Sequence, residues 1–543
     1  MRGGCTPTMA QAAPPNRCWH SCCRARNDNN QAALNMCGLL FSYRQPQLTQ
    51  QLLAASLQQM HWRGPDAEQH SLLQQGQVFL GHRRLSILDP QARSNQPMRS
   101  RCGRFYIVFN GEIYNHMALR QQLGLQCQTL SDTETIVEAY AQHGERIVAQ
   151  LDGMFALVIY DLQRDAWVCA RDAFGIKPLF IHQHGVGALI GSEAAVLAEL
   201  IGAAPDPDSL HEWQMVRRPT PGYSYFQGVR EVPPGTLLRS DGSQWHHFCW
   251  EPSGEPYVQE HFEQLLRESV AAHELSDVAN VALLSGGLDS AVIAALSNVR
   301  RCYSVGLQSN NEFTGAAETA QLLGRQLQTV TLTPAQLQDN WRQLTRLRRE
   351  PLGVPNEGLI YPVCQAMQAD EKVVLTGEGA DELLFGYDGI FRWSLDADWP
   401  GVSAFLNRYG YAGQLQPTPR LNDYVLELKS DNSTQAFVED FFYQFHLPGL
   451  LRRMDFASMA ASKEARVPFV SKSLVRYMYR RPAELKIDAQ HSKIPLRIMG
   501  QKLGLQGALQ RKKIGFSAQT DISRPRQDDY RQFQRIVMEA LGW

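Results

Sequence analysis

The pattern of apolar and polar positions divides the chain into a strand-rich first part and a later part in which strands alternate with helices. "GRFYIVFNGEIYNH" (103–116) predicts an apolar strand that runs into a polar turn. "MFALVIYDLQRDAWVCARD" (154–172) predicts two strands around a short polar connection. "LSDTETIVEAYAQHG" (130–144) has helical spacing after a capping serine or aspartate. Residues 37 to about 200 are therefore predicted to be β-rich.

The pattern changes near residue 256. "NVALLSGGLDSAVIAALSNV" (280–299) predicts a short buried strand, a glycine turn and a helix, and "EKVVLTGEGADELLFGY" (371–387) repeats that order. "CYSVGL" (302–307) is another short strand. Strands that alternate with helices indicate a parallel, doubly wound sheet, in which ligands bind at the carboxyl ends of the strands. Residues 390–543 are predicted to be mostly helical, and residues 205–255 to be a link with short strands.

Length and composition are those of a globular protein with two or three domains. The 543 residues are 44% hydrophobic and 20% charged, with a net charge of −1, which gives no bias toward nucleic acid or a membrane surface. No apolar run approaches the ~18 residues that span a bilayer, and the start does not read as a secretory signal. The seven cysteines from Cys37 to Cys364 are scattered without paired spacing, which is typical of reduced thiols in a cytoplasmic protein.

The first 35 residues differ from the rest of the chain. They contain four arginines, one aspartate and no lysine or glutamate, without periodicity, and are predicted to be disordered. "CWHSCC" (18–23) contains metal-binding residue types, but they are too crowded for the usual zinc spacing, so an unstructured tail is favoured.

The segment "SGGLDS" (285–290) has the features of an anion-binding loop. Its glycines allow close approach of a ligand to the backbone, and the helix that follows places a positive partial charge there. Such a loop suits pyrophosphate, but it lacks the lysine of the common phosphate loop. Asp289 is a candidate magnesium ligand, since Mg²⁺ uses one or two carboxylates plus phosphate oxygens. The alternative is a tight turn that only packs a helix on a strand.

SGGLDS also resembles the pyrophosphate loop of the glutamine-hydrolysing asparagine synthetase family. Four further motifs resemble that family in the same order: TGEGADE (376–382), ASMAASKEARVPFV (457–470), KIPLR (493–497) and RKKIGF (511–516). The resemblance implies a fold that is α/β and α+β in two domains. An N-terminal-nucleophile αββα sandwich is expected at residues 37–225, and a doubly wound parallel-sheet ATP pyrophosphatase domain with a helical C-terminal part at 226–543. Residues 1–36 are expected to be a disordered extension or a mis-assigned start.

The resemblance implies that a carboxylate attacks ATP, that pyrophosphate leaves, and that ammonia attacks the acyl-adenylate. The expected ATP-binding residues are Leu284, Ser285, Gly286, Gly287, Leu288, Asp289, Ser290, Val305, Thr376 and Gly377. Asp289 and Asp381 resemble the magnesium ligands. Lys493 resembles the lysine that stabilises charge on the reacting groups, and Glu378 the glutamate that takes a proton from ammonia.

The same resemblance explains "MCG" at 36–38. Family members carry a glutaminase whose N-terminal cysteine attacks glutamine while its α-amine serves as base, which makes Cys37 the expected nucleophile. The expected glutamine site contains Arg84 for the carboxylate, Asn110 and the Gly111 N–H for the oxyanion, Glu112 for the substrate, and Asp132 for the ammonium. "ARDAFGIKPLF" (170–180) fits the pattern, whereas Trp62 stands where the family has histidine.

The 35 residues before Met36 leave three interpretations open. Met36 is the true start, or a propeptide is cut before Cys37, or the tail is retained and the glutaminase is inactive. The first is the hypothesis favoured here.

The acceptor carboxylate is the least specified part of the chemistry. Asparagine synthetases usually have Asp-Glu-Pro and Asp-Pro-Ser before the second loop, where this chain reads "RREPLGVPNEGLIYP" (348–362). Aspartate is the expected acceptor, and the alternative is another carboxylic acid of a secondary metabolite or surface polysaccharide. A β-lactam-forming branch has tyrosine at the position of Glu378, which argues against it. A non-catalytic regulator or an enzyme with glutaminase activity alone would not require all these residues. A homodimer is expected only by analogy with the family.

Overall fold

The computed structural model describes residues 37–64, 66–410, 415–511, 517–520 and 525–543. The predicted extension at 1–36 and residues 512–516 of the RKKIGF motif lie outside these ranges.

Two antiparallel sheets form the first part of the fold. Their strands are β1 (Gly38–Tyr43), β2 (Ala67–Leu73), β3 (Val78–Arg84), β4 (Met98–Arg99), β5 (Phe105–Ile113), β6 (Gly153–Asp161), β7 (Ala166–Arg171), β8 (Phe180–His184), β9 (Gly187–Gly191), β10 (Arg230–Glu231), β11 (Thr236–Arg239) and β12 (Gln244–His246). One sheet has the order β10-β8-β9-β1-β3-β2 and the other β12-β11-β7-β6-β5-β4. The strands predicted at β5, β6 and β7 are confirmed.

The helices of the first part are α1 (Gln50–Gln58), α2 (His116–Leu123), α3 (Asp132–His143), α4 (Ala194–Ile201) and α5 (Pro207–Val216). Phe41, Val108 and Trp167 belong to an apolar core shared by the two sheets, while α1 and α4 pack on the first sheet and α3 on the second. These layers form the predicted αββα sandwich. Ser131 caps α3 by accepting the Thr133 N–H, as predicted.

The segment at 205–255 contains more regular structure than predicted. Asp206 accepts the N–H groups of Asp208 and Ser209, and Pro207 stands at the first position of α5, so both are helix-start signals that the sequence interpretation passed over. Strands β10 to β12 then complete the edges of the two sheets. The sandwich therefore extends beyond the predicted boundary between residues 225 and 226.

A parallel sheet forms the core of the second part. Its strands are β13 (Ala279–Leu283), β14 (Arg301–Leu307), β15 (Gln326–Leu332), β16 (Glu371–Leu375) and β17 (Glu464–Arg466). The order is β15-β14-β13-β16-β17, and every neighbouring pair is parallel. Because β13 and β16 are neighbours, the two glycine loops that follow them lie side by side at one edge, as the sequence predicts.

The region from residue 390 onward is mostly helical, as predicted, although β17 interrupts it. The helices of the second part are α6 (Gln259–His273), α7 (Leu288–Leu296), α8 (Phe313–Leu322), α9 (Pro334–Arg348), α10 (Glu357–Gln365), α11 (Ala380–Leu383), α12 (Asp388–Asp396), α13 (Val402–Tyr409), α14 (Pro419–Lys429), α15 (Thr434–Phe441), α16 (Leu447–Met459), α17 (Lys472–Met478), α18 (Ile494–Lys502), α19 (Gln506–Gln510) and α20 (Arg526–Leu541). A π-helical turn, Phe442–His446, joins α15 to α16. Short 3₁₀ turns lie at His61–Arg63, Gln74–Gly76, Ala92–Ser94, Gly144–Gln150, Pro468–Val470 and Ala483–Leu485.

Two further observations concern the described residues only. None of their helices is both long and apolar enough to cross a membrane. Their seven cysteines all have free thiols.

Candidate functional site

The first glycine loop, between β13 and α7, is closed by two serines. Ser285 Oγ lies 3.0 Å from Ser290 Oγ and accepts the Gly287 N–H at 3.1 Å. Ser290 Oγ accepts the Ser285 N–H at 3.0 Å. These bonds hold a tight turn at the N-terminus of α7, where the helix presents partial positive charge. The turn therefore has the form of an anion-binding loop.

The second glycine loop touches the first. A Cβ atom added to Gly377 would lie 3.0 Å from Asp289 Cβ and 3.0 Å from the Ser290 nitrogen. Such a Cβ would be closer to these atoms than most real Cβ contacts, so the first loop would have to shift, and glycine suits this approach. Gly377 thus brings Thr376 and Glu378 next to the first loop.

Lys493 joins the two loops through an ion triad. Its Nζ lies 2.6 and 2.7 Å from the carboxylate oxygens of Asp289 and 2.6 Å from Asp381 Oδ1. Lys493 has φ 58°, in the left-handed region, and stands directly before α18. The structure therefore brings together at one point three residues for which the sequence predicted roles in pyrophosphate chemistry.

Replacing Gly386 with alanine is expected to disrupt this triad. The added Cβ would lie 2.0 Å from Asp381 Oδ1 and 2.2 Å from Lys493 Cε, so both side chains would have to move. A misplacement of about 1 Å costs on the order of 100-fold in rate, and we expect ammonia-dependent pyrophosphate release to fall by at least that factor.

Gly389 provides the matched control for that variant. A Cβ there would meet no atom within 4 Å, so Gly389→Ala should retain activity within about twofold of the unmodified protein. Glutamine hydrolysis without ATP should be unchanged in both variants. Equal pyrophosphate release from both would show that the triad tolerates displacement.

A cavity of about 360 Å³ lies beside the triad. The predicted residues that line it are Ser285, Asp289, Ser290, Thr376, Gly377, Glu378 and Asp381. The other predicted nucleotide residues do not line it, namely Leu284, Gly286, Gly287, Leu288 and Val305. The two loops thus supply one wall of this cavity.

The other wall contains Val354, Pro355 and Asn356, which belong to the segment that the sequence connected with the acceptor. It also contains residues that the sequence interpretation missed, and these include Arg217, Tyr387, His446, Arg453, Asp529 and Tyr530. Arg453 Nη2 lies 3.4 and 3.5 Å from the oxygens of Glu378, which makes an ion pair across the cavity. Arg453 stands four residues before the ASMAASK motif and was within reach of motif reasoning. The other missed residues belong to none of the motifs that the sequence interpretation placed at this site.

His446 lies at the end of the π-helical turn and contacts three polar groups. Tyr409 Oη is 2.7 Å from its Nδ1, Tyr387 Oη is 3.2 Å from its Nε2, and Glu382 Oε1 is 3.3 Å from its Nε2. Burial lowers the pKa of His446 although Glu382 opposes the shift, so the ring is neutral at neutral pH. A neutral imidazole accepts one of these hydrogen bonds and helps to fix the tyrosine wall of the cavity.

The predicted nucleophile, Cys37, lies directly before β1. Its Sγ accepts the Leu85 N–H at 3.2 Å, next to Arg84. Burial raises the pKa of the thiol to about 12, while the Leu85 N–H and the charge of Arg84 act in the opposite direction. The resting thiol is therefore protonated, and its attack on a substrate requires a base.

Arg84 is held firmly by its own segment. Its Nη1 donates to the Gln91 carbonyl and Asn95 Oδ1, both at 2.9 Å. Its Nη2 donates to the carbonyls of Leu88 at 2.9 Å and Asp89 at 2.6 Å. These four bonds use the N–H groups of both terminal nitrogens. A glutamine carboxylate would therefore accept the Arg84 Nε–H or displace one of these four acceptors. Either contact differs from the bidentate contact that the sequence suggested.

Asn110 and Gly111 end the apolar part of β5 in the way an oxyanion site requires. Asn110 is 1% exposed, and its Nδ2 has no hydrogen-bond partner within the described chain. Buried donors are normally paired, so this one is available to a ligand. A Cβ on Gly111 would lie 2.0 Å from the Met154 carbonyl oxygen, so the position requires glycine.

Glu112 and Asp132 are buried carboxylates at the end of β5. Glu112 Oε2 accepts from Arg466 Nη2 at 2.9 Å, and Asp132 Oδ2 accepts the Ile113 N–H at 3.0 Å. Burial raises the pKa of both groups, and the nearby charge of Asp132 adds to the rise at Glu112. The ammonium group of a ligand bound beside these two carboxylates would offset the free-energy cost of burying their charges.

The pH dependence of glutamine binding follows from Asp132. Burial raises its pKa to about 6, so the carboxyl is neutral below that pH and ionised above it. An ammonium binds the ionised form, and we therefore expect KM for glutamine to rise about tenfold per pH unit below pH 6 and to be level above pH 7. Glutamate release without ATP, measured from pH 5 to 8, checks this. Asp132→Asn should remove the step, and a level KM in the unmodified protein would contradict the assignment.

A buried ion network connects the glutamine site to the second part of the chain. Arg466, which donates to Glu112, also donates from Nε to Glu464 at 2.9 Å. Lys177 Nζ lies 3.4 Å from Glu464 and 3.2 Å from Asp455. Asp455 stands two residues after Arg453 of the cavity wall. Charged residues of two predicted motifs thus form a buried link between the predicted glutamine site and the segment that carries Arg453.

Trp62, the departure from the expected family pattern, also lies in this region. It is 3% exposed, and its ring meets Phe456 edge-on with centroids 5.3 Å apart. The guanidinium of Arg63 lies 5.0 Å from the Trp62 ring, and Arg63 Nη2 donates to Asp455 at 2.8 Å. Trp62 therefore packs against two residues, Phe456 and Arg63, that adjoin Asp455 of the ion network.

Comparison with known proteins agrees with this architecture. The family model described as a glutamine amidotransferase domain matches residues 36–250, and the one described as asparagine synthase matches residues 261–541, more than half of the chain. The asparagine synthetase [glutamine-hydrolyzing] 3 of Bacillus subtilis is 28% identical over 488 residues, which cover 80% of this chain and 79% of the relative. The asparagine synthetase [glutamine-hydrolyzing] 1 of the same organism is 28% identical over 555 residues, 89% of this chain and 87% of the relative.

A third relative has a different kind of name. The amidase chry2 of Gibberella zeae is 28% identical over 395 residues, which cover 64% of this chain and 58% of the relative. With two family models and two glutamine-hydrolysing synthetases among its relatives, this chain belongs to the asparagine synthase family, whose members use ATP, and is a ligase-type enzyme that forms an amide with nitrogen from glutamine.

Proposed function

We propose that the acceptor is the side-chain carboxylate of aspartate, so that the products are asparagine, glutamate, AMP and pyrophosphate. The observation that carries the chemistry is the triad in which Lys493 bridges Asp289 and Asp381 beside the SGGLDS loop. It concentrates charge where pyrophosphate would form and leave. The names of both Bacillus subtilis relatives support aspartate as the acceptor.

In the adenylation step, the acceptor carboxylate attacks the α-phosphorus of ATP, and the bond to the β-phosphate oxygen breaks. The SGGLDS loop would hold the phosphates with the N–H groups at the start of α7. Lys493 would stabilise the negative charge that develops on the transferring group and on pyrophosphate. Its fixed position between two carboxylates means that little reorganisation is needed when that charge appears.

Mg²⁺ fits the carboxylates of this site. Asp289 and Asp381 approach one ammonium group, so their oxygens converge, and Mg²⁺ commonly takes one or two carboxylates plus phosphate oxygens. We propose that these two residues hold it. When bound, the ion would neutralise phosphate charge and support the departure of pyrophosphate.

In the amidation step, ammonia attacks the acyl carbon and AMP leaves. Glu378 lines the same cavity as the two loops, and its carboxylate would take the proton that the attacking nitrogen loses. The guanidinium of Arg453 lies 3.4 Å from this carboxylate and would hold it in position.

In the glutaminase step, Cys37 Sγ attacks the amide carbon of glutamine and ammonia is released; water then releases glutamate. The buried, unpartnered Nδ2 of Asn110 and the Gly111 N–H would stabilise the oxyanion. Arg84 would hold the substrate carboxylate, and Glu112 and Asp132 its ammonium. The base would be the α-amine of Cys37, once Cys37 is the first residue.

Another carboxylic acid is the second candidate acceptor. The reason is Val354, an apolar residue on the cavity wall in the segment that departs from the family pattern. This segment is ordered by Glu357, whose buried carboxylate accepts the N–H groups of Gly353 at 2.6 Å and Val354 at 3.1 Å. Because these hydrogen bonds fix the turn in the cavity wall, the difference between its sequence and the family pattern affects which acceptor can bind.

The test is pyrophosphate release with ATP, Mg²⁺ and ammonium, with and without aspartate, because ammonium bypasses the glutaminase. We expect release to depend on aspartate and asparagine to form in equal amount. A protein that hydrolyses glutamine but shows no dependence on aspartate would have another acceptor.

The proposal includes a cytoplasmic location and, by analogy, a homodimer. The free thiols of the described cysteines and the requirement for ATP support the location. The dimer rests on family analogy alone.

A further inference from the structure

The cavity wall opposite the two glycine loops contains buried polar atoms that lack hydrogen-bond partners within the described residues. Asp529 Oδ2, Asn356 Oδ1 and Arg453 Nε are buried and have no hydrogen-bond partner within the part of the chain that the structure describes. Asp529 is 8% exposed, and its other oxygen, Oδ1, accepts from Thr520 Oγ1 at 2.8 Å. A buried polar atom without a partner is destabilising, so such atoms in a cavity mark positions where a ligand completes the pairing.

Asp529 is brought to the cavity by the packing of the last helix, α20. Phe533 of α20 meets Trp341 of α9 edge-on, with centroids 5.2 Å apart. Trp341 Nε1 donates to the Pro355 carbonyl at 2.7 Å, and Tyr530 Oη lies 3.5 Å from the Gly353 carbonyl. Helix α20 and the turn that ends at Asn356 therefore form one continuous wall. Asp529 and Asn356 line the cavity from this shared wall.

The simplest structural role for Asp529 is stabilisation of the start of α20 by its negative charge. Asp528 stands in the same first turn, carries the same charge and is exposed. Asp528 already stabilises the start of α20 by its negative charge, and because it is exposed its carboxylate does not have to be desolvated. Helix stabilisation therefore does not explain why the next aspartate is buried against the cavity.

The same cavity contains cationic groups. Arg453 faces Glu378 across it, and Arg217 lines it with its guanidinium 4.4 Å from the Tyr409 ring. A site with guanidinium groups and an incompletely paired carboxylate complements a ligand that carries both charges. An α-amino acid has this chemistry, whereas a simple carboxylic acid offers no cation to Asp529 and a sugar acid offers only neutral hydroxyl donors.

We propose that Asp529, together with the side-chain carbonyl of Asn356, binds the α-ammonium group of an amino-acid acceptor whose α-carboxylate is held by Arg453 and Arg217. The proposal rests on the proposed function, which places the acceptor in this cavity, and it narrows the acceptor class to amino acids with a second carboxylate. Asp529 is a specificity-determining residue in this account, since it contacts the acceptor away from the reacting carboxyl.

The experiment compares Asp529→Asn with the matched control Asp528→Asn in the full chain, with ammonium as nitrogen donor and pyrophosphate release as readout. Each variant is assayed with aspartate and with succinate, which lacks only the ammonium group. Loss of one charged, buried contact should raise KM for aspartate about 10- to 100-fold in Asp529→Asn, with kcat changed less than about threefold. Asp528→Asn should match the unmodified protein.

The preference for aspartate over succinate separates recognition from a structural role. It should be large in the unmodified protein and in Asp528→Asn, and it should shrink about 10-fold or more in Asp529→Asn. A variant that loses activity equally on both acids, or keeps the same preference, would overturn the assignment.

The outcomes also separate this inference from the proposed function. If the unmodified protein ignores aspartate but uses another amino acid, the proposed acceptor is wrong, and Asp529→Asn must still raise KM for that amino acid for the inference to stand. If the acceptor is an acid without an ammonium group, both are overturned.

Discussion

Cys37→Ala is expected to reduce glutamine hydrolysis by at least about 10⁴-fold while ammonia-dependent pyrophosphate release stays within about threefold of the unmodified value. The reason is that Cys37 Sγ is the group that would form the covalent intermediate, whereas the triad that would act on ATP is formed by residues of the second part of the chain. Glutamate release and pyrophosphate release, measured on the same preparation, check the two halves separately.

The matched control is Cys127→Ala. Cys127 is a partly buried thiol of the same domain, packed against the core under α3, and it is not one of the predicted glutamine-site residues. It should leave both activities unchanged. Glutamine hydrolysis that survives in Cys37→Ala would require another nucleophile and would refute the assignment.

Lys493→Met is expected to reduce pyrophosphate release by at least about 10³-fold with either nitrogen donor, while glutamine hydrolysis without ATP continues. Removal of the ammonium takes away the charge that would stabilise the transferring group. It also leaves Asp289 and Asp381 facing one another without the cation that now lies between them. Lys493→Arg should also be inactive, because Gly386 is packed so closely against Lys493 Cε that a larger group has no room.

The control for Lys493 is Lys502→Met at the other end of α18. Lys502 is exposed and pairs with the exposed Glu260 and the mostly buried Glu263, and it does not line the cavity, so its loss should change activity less than about twofold. Lys493→Met with normal pyrophosphate release would show that the triad is only structural.

The parts of the fold around the site that the sequence predicted correctly are those determined by consecutive residues. A buried strand, two glycines and a helix are consecutive in the chain, so the form and position of the SGGLDS loop follow from its own residues. The adjacency of the two loops follows from the alternation of strands and helices. By contrast, β17 has only three residues inside a motif, too few for any period to be read.

The parts that the sequence did not predict depend on contacts between distant segments. Asp529 reaches the cavity because α20 packs on α9, and Arg217 reaches it from the end of α5, a helix that was itself overlooked. The need for glycine at 386 appears only when Asp381 and Lys493 are seen on either side of it. Arg466 and Lys177 were noticed as motif residues, but their burial between two sites is a property of the tertiary structure.

The central claim is that one chain takes nitrogen from the side chain of glutamine and delivers it to an adenylated acceptor. The most direct measurement uses protein purified from its native host with ATP, Mg²⁺, aspartate and glutamine labelled with ¹⁵N in the side-chain amide, in the presence of an equal concentration of unlabelled ammonium. The account predicts that ¹⁵N predominates in the side-chain amide of the asparagine formed, with AMP and glutamate released in equal amounts. Glutamate released without labelled asparagine, or asparagine that carries only unlabelled nitrogen, would contradict it.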